Sequence, residues 1–312
     1  MEGVTHAVNH CAILGGMRRR LTRIAQALLI VALVPFLVDV PPGEDASAGE
    51  LLDAGAAPNA RLIAVGGRST VVAEAGRSTD PALVLVHGFG GSTFGWRAVM
   101  APLAARGWHV VALDLPGFGL SEKSWSFDYD HESQARYVLA TMDQLGLARA
   151  VFVGHSMGGN IACTYTGLRP ARVARLVSLE GFGMGRAKAD MAPERYERWL
   201  KELKERPAFK PYASFDAVAE RLMKNNKRLP RDKADFLARH WARQTEVGEI
   251  TLNFDPRHKL VNPVLSRLDE LIECWKRVTC PTLWVFTNEI DPRGMHFFHI
   301  GISVRESSFF KQ

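Results

Sequence analysis

Between residues 82 and 286 the chain alternates short, uninterrupted apolar runs with segments of helical period. The runs cover 82–86, 109–113, 150–153, 176–179 and 282–286. A strand that is apolar throughout, rather than at every second position, suits burial on both faces of a parallel sheet. Helical segments between the runs include 96–105, 131–145 and 157–168. Such alternation predicts an α/β fold on a doubly wound, mostly parallel sheet. Ahead of the first run, 61–65 and 69–74 flank Gly66-Gly67, the two-residue pattern of a β-hairpin.

Two stretches depart from this rhythm. Residues 183–275 hold charged, helix-rich segments, among them 193–205, 215–225 and 231–243, with no convincing strand. They read as a helical cap inserted between two strands of the sheet. Trp199, Trp241, Phe209, Phe215, Phe236, Leu222 and Met223 are candidates for an apolar pocket or for the cap's own core.

The other departure is amino-terminal. Residues 24–38 are an apolar run directly after the basic stretch 17–23, the layout of a secretory signal or a membrane anchor. As a helix the run spans roughly 22 Å, short of the ~30 Å hydrocarbon core. Ala46-Ser47-Ala48 offers a signal cleavage site, so anchor and cleaved signal both stay open. Residues 17–40 belong to this segment, and 41–60, rich in Ala, Gly, Pro and acid, form a linker. Met17 is a natural start, which makes 1–16 an upstream extension. The segment implies a membrane-anchored or exported protein.

Composition narrows the classes. The 312 residues are 47% hydrophobic and 23% charged, which excludes global disorder. The net charge of +6 is helped by Arg18, Arg19, Arg20 and Arg23. No basic stripe with interleaved aromatics appears, so no nucleic-acid partner is expected. Cys11, Cys163, Cys274 and Cys280 form no C-x-x-C pair. With no histidine at zinc spacing either, no metal site is expected.

Chemistry concentrates in two glycine-rich turns. Gly154-His155-Ser156-Met157-Gly158, extended by Gly159, follows the run 150–153 and opens an apolar helix. A nucleophilic serine on a strand-to-helix turn needs that context, because bulky neighbours would collide at the bend. His87-Gly88-Phe89-Gly90-Gly91 follows the run 82–86. Acyl transfer passes through an oxyanion that needs two preorganised donors. The amides of Phe89 and Met157 are placed to supply them. The stretch 114–121, DLPGFGLS, reads by itself as a strand end and turn without catalytic demand.

In this order, HGFGG, DLPGFGLS and GHSMGG resemble the α/β-hydrolase superfamily over about residues 61–291. The closest likeness is to bacterial esterase-like and carbon–carbon-bond hydrolases with a helical cap. Amino-terminally anchored members share an apolar run followed by VPP, which points to the bacterial cell envelope. The resemblance makes 61–182 and 276–312 the hydrolase core, with 183–275 as its cap. It implies a Ser–acid–His triad, no cofactor, and cleavage of carboxylic esters with small to medium apolar acyl groups through an acyl-enzyme. Position 156 is Ser, which sets the chain apart from relatives with an Asp nucleophile.

For the acid, the resemblance offers Asp291 after the run 282–286, or Glu180 after the run 176–179. The histidine expected after a further helix and strand is not found. His296 and His299 follow Asp291 too soon to leave room for them. A truncated or frame-shifted end, a rearranged tail recruiting one of these histidines, and a non-catalytic binding protein are the three readings. Among enzymes, a carbon–carbon-bond hydrolase or lactonase is the alternative to an esterase.

Overall fold

The computed structural model describes residues 60–290 and 296–303, apart from 125, 126, 182, 184–186, 206 and 266. Beyond Val285 only the backbone is described. The segment 24–38 therefore lies outside the described residues, as does Asp291. Among the described residues no helix is long and apolar enough to cross a membrane.

Eight strands form one sheet in the order β1-β2-β4-β3-β5-β6-β9-β10. β1 (Ala60–Val65) and β2 (Arg68–Ala75) make the antiparallel hairpin that Gly66-Gly67 predicts. Both glycines have positive φ, 56° and 77°, which a two-residue turn demands of its central residues. β3 (Ala82–Val86), β4 (His109–Leu113), β5 (Ala150–His155), β6 (Val173–Leu179) and β9 (Thr282–Ile290) are mutually parallel. The uninterrupted apolar runs mark the strands buried from both sides, as their sequence predicts.

Alternate residues of each strand enter two cores. Val84, Val86, Val111 and Phe152 pack with α2 (His131–Gln144), α3 (Met157–Leu168) and α7 (Leu268–Lys276) through Val138, Met142, Tyr165 and Trp275. Leu83, Leu85, Val151 and Val153 pack on the opposite face with Val99, Met100 and Leu103 of α1 (Arg97–Ala104). Helices on both faces of a mostly parallel sheet are the doubly wound architecture.

The cap contains α4 (Ala192–Glu205), α5 (Phe215–Asn225) and α6 (Arg231–Trp241). α5 and α6 share a small core of Val218, Ala219, Ala234 and Ala238, with Phe215, Leu222 and Met223 against it. Two features differ from the sequence reading. A short antiparallel pair, β7 (Ala242–Gln244) and β8 (Ile250–Leu252), sits where no strand was expected. α7, placed in the cap by the boundary at 275, packs on α3 instead. A Cβ on Gly167 of α3 would collide with the carbonyl of Cys274.

β10 (His296–Ser303) returns antiparallel beside β9. The resemblance implies a helix and a further strand after the acid, and β10 follows β9 directly as a hairpin partner. Cys163 and Cys280 are buried free thiols and Cys274 is half-buried.

Candidate active site

Ser156 stands between the last residue of β5 and the first of α3, with φ 51° and ψ −117°. A non-glycine residue in that region is strained by about 1–3 kcal/mol and persists only where its surroundings over-determine it. Here they do. Ser156 N donates to Leu179 O of β6 (2.7 Å), and Asn160 N donates to Ser156 O (3.1 Å), starting the helix. The glycines let backbones meet around the bend. A Cβ on Gly158 would collide with the carbonyl oxygens of Val86 and His87, so α3 could not approach β3.

That close approach sets the second turn against the first. A Cβ on Gly88 would lie 3.2 Å from Ser156 Cβ and 2.8 Å from His155 Nδ1. His87 pins the turn from inside. Its Nδ1 bonds to Gly88 O (2.7 Å), and its Nε2 accepts from Leu115 N (3.0 Å). Such a ring is neutral with its proton on Nδ1. Burial pushes its pKa down to about 4, in agreement. Gly91 N closes the loop onto Gly88 O (3.0 Å). Among the described residues no acceptor is found for the Phe89 N–H. Met157 is the first residue of α3, so its N–H has no intrahelical acceptor.

The stretch 114–121 does more than end a strand. Buried Asp114 accepts from Thr93 N (2.6 Å) and Leu120 N (2.8 Å), fastening the turn at 88–93 to the end of β4. Burial raises its pKa, and these amide bonds oppose the rise. The single cue to this role is an Asp followed by G-F-G, which also occurs in plain turns.

Aromatic rings wall the site. The Phe89 ring, half exposed, meets Phe118, Phe254 and His258 edge to face at 5.7, 5.4 and 5.8 Å. His258 lies stacked between Phe118 (3.8 Å) and Tyr129 (4.1 Å). Its pKa is pushed down to about 3, first by burial and then by nearby His87. Tyr129 donates to Asp255 (2.6 Å), so the 255–260 turn is bound to the core. The run 255–263 is polar and turn-rich in sequence, and nothing in it announces the place of His258 in the wall.

The carboxylates and histidines separate. Glu180 follows β6, the strand next to β5, at φ 59° with its N–H on Val285 O (2.8 Å). β10, which carries His296 and His299, lies three strand spacings from β5, roughly 14 Å. Among the described residues no histidine ring is hydrogen bonded to Ser156. No cluster of His, Cys, Asp or Glu among them could hold a metal ion.

Residues 81–256 match the sequence profile of the family described as alpha/beta hydrolase fold. The dihydrolipoyllysine-residue acetyltransferase component of the acetoin cleaving system of Pseudomonas putida is 43% identical over 131 residues, 42% of this chain and 35% of that protein. Epoxide hydrolase A of Mycobacterium tuberculosis is 33% identical over 132 residues, 42% of this chain and 41% of that protein. The chain thus matches well under half the length of either relative. A crystal structure of a hypothetical protein from Pseudomonas aeruginosa superposes with TM-score 0.67 at 24% identity, over 75% of this chain and 84% of that one. The strained serine, the glycine-lined approach of two turns and the doubly wound sheet agree with that profile, and the chain belongs to the alpha/beta hydrolase fold family.

Proposed function

We propose that the protein is a serine hydrolase in which Ser156 attacks the carbonyl carbon of a carboxylic ester. The observation that carries this reading is the backbone of Ser156 at φ 51°, ψ −117°, held against Gly88. A hydroxyl on such a bend stands clear of sheet and helix, and the amino terminus of α3 favours negative charge beside it. The oxyanion rests between the amides of Phe89 and Met157, the alcohol departs, and water releases the acid from the acyl-enzyme. Phe89 and Phe254 favour an apolar acyl group of small to medium size.

Glu180 is the carboxylate the described geometry favours as the acid, one strand from the bend and strained like Ser156. Asp291 is the second candidate. The base is unassigned, because β10, which carries the candidates His296 and His299, lies three strand spacings from β5. An epoxide hydrolase's chemistry is disfavoured by Ser at position 156, although one relative bears that name. Residues 24–38 place the domain at a membrane, as anchor or as exported protein.

Turnover of a short p-nitrophenyl ester tests the assignment. Ser156→Ala should lower it by at least about 10³-fold and abolish labelling by a fluorophosphonate. Retained turnover refutes the nucleophile. A wild-type protein that neither turns over nor labels is a binding protein on a hydrolase fold.

A further inference from the structure

Helix α4 carries an apolar stripe that is only partly covered among the described residues. Ala192, Arg195, Trp199 and Glu202 are its half-buried positions, and they face the protein. Arg195 Nε donates to Asn262 O (2.6 Å), and Val261 N donates to Glu202 (2.8 Å). At about 100° per residue, Tyr196, Leu200 and Leu203 fall on a stripe roughly 90° round from that line. They are 49%, 59% and 36% exposed. Met191, just before the helix, is 48% exposed, and Val264, two residues beyond Asn262, is 67% exposed. Glu194, Glu197, Arg198, Lys201 and Lys204 fill the remaining arc, and no residue of α4 is fully buried. The helix is seated by these two hydrogen bonds and half-buried Trp199, and turns a second apolar stripe outward.

We propose that α4, with Met191 and Val264, rests on the surface of a lipid bilayer, its apolar stripe among the acyl chains and its charged arc toward water. The inference rests on the membrane placement of residues 24–38 proposed above. A helix with one apolar stripe and a charged opposite face is the form that lies in a bilayer interface. The amino-terminal chain points to a bilayer as the occupant. The spacer 39–59 between the apolar run and β1 reaches at most roughly 70 Å, which keeps the domain beside any membrane that the run enters. A second copy fits less well. Five side chains present a few hundred Å², against the roughly 800 Å² per partner of a stable complex.

The test uses the full chain in vesicles of phosphatidylcholine and phosphatidylglycerol that contain a phosphatidylcholine with a diazirine in its acyl chain. After irradiation, labelled peptides are mapped by mass spectrometry. Label is expected on 24–38 and on the peptides holding Met191, Tyr196, Leu200, Leu203 and Val264. Leu200→Glu with Leu203→Glu should cut the α4 label about tenfold, the equivalent of one buried leucine, and leave the label on 24–38 unchanged. Both positions are exposed, so the variant keeps its fold. Label on 24–38 with none on α4 overturns the inference and spares the anchor. Label on neither overturns both. Chemical crosslinks from α4 to a second chain or to 24–38, without lipid label, also overturn it by naming another occupant.

Discussion

The bend at Ser156 and the cap above it are built on opposite terms. Around the bend, backbone meets backbone. Gly88, Gly154, Gly158 and Gly159 each sit where a Cβ would strike a neighbour within about 3 Å, and strands on both sides are buried. In the cap, α5 and α6 share a small core of Val218, Ala219, Ala234 and Ala238 with Leu229 and Ile250, and α4, with Trp199 half-buried, has no fully buried residue. Its hairpin glycine, Gly248, has φ 84° with only Gln244 Nε2 near, at 3.8 Å. Strain is stored where the surroundings can hold it, and the cap is packed more loosely than the bend.

Glycine substitutions give the sharpest break. Gly158→Ala should cost about 3 kcal/mol, because main-chain carbonyls rather than flexible side chains must move. It should also abolish esterase turnover, since the shift displaces Met157. Gly248→Ala should cost about 1 kcal/mol, the price of a positive φ alone, with turnover intact. Urea unfolding of both variants measures the difference. Equal costs would mean that the bend is no more constrained than the cap.

Legibility in the sequence follows the same division. The strands were readable because burial on both faces forces continuous apolar runs, and the hairpin because Gly66-Gly67 supplies two positive φ angles. Ser156 was readable because the bend admits so few residue types at 154 and 158. β7 and β8 were not, since three residues each, ARQ and ITL, are too short to show a period. α7 was assigned to the cap because an amphipathic helix does not announce which surface it covers. Asp114 and His258 gain their roles from residues distant in sequence, Thr93 in one case and Tyr129 in the other. No base is legible in the sequence, and among the described residues no histidine ring is hydrogen bonded to Ser156.

Acid should destabilise the core through His87. His87 is buried and neutral, with a folded pKa of about 4 against an ordinary 6.5. As pH falls through 6.5 the unfolded chain takes up a proton that the folded chain refuses. Stability is therefore lost between about 6.5 and 4, and the loss levels off once the folded ring also protonates. The total is on the order of 3 kcal/mol. Unfolding free energies of wild type and His87→Gln at pH 7 and pH 4 isolate this share, because Gln can donate to Gly88 O and accept from Leu115 N as the neutral ring does. Equal losses in the two proteins would remove His87 from the account.

The smallest expected effect lies at the seam between the two regions. His240 of α6 stacks on Phe94 with centroids 3.7 Å apart and planes 14° from parallel, and Phe236 leans on the same ring at 5.3 Å. The Arg97 guanidinium covers Phe94 at 3.9 Å and Phe236 at 4.7 Å, so core and cap share one stack of rings and cation. Phe94 belongs to the short helical turn after the glycine-rich loop at 87–91, so the stack ties α6 to that loop. An aromatic pair of this kind contributes about 1 kcal/mol. His240→Ala should therefore raise amide exchange in α6 about fivefold through local opening, while exchange in β5 and α3 keeps its wild-type rate. If β5 and α3 accelerate as much as α6, cap and core open together, and the looseness assigned to the cap is a property of the whole domain.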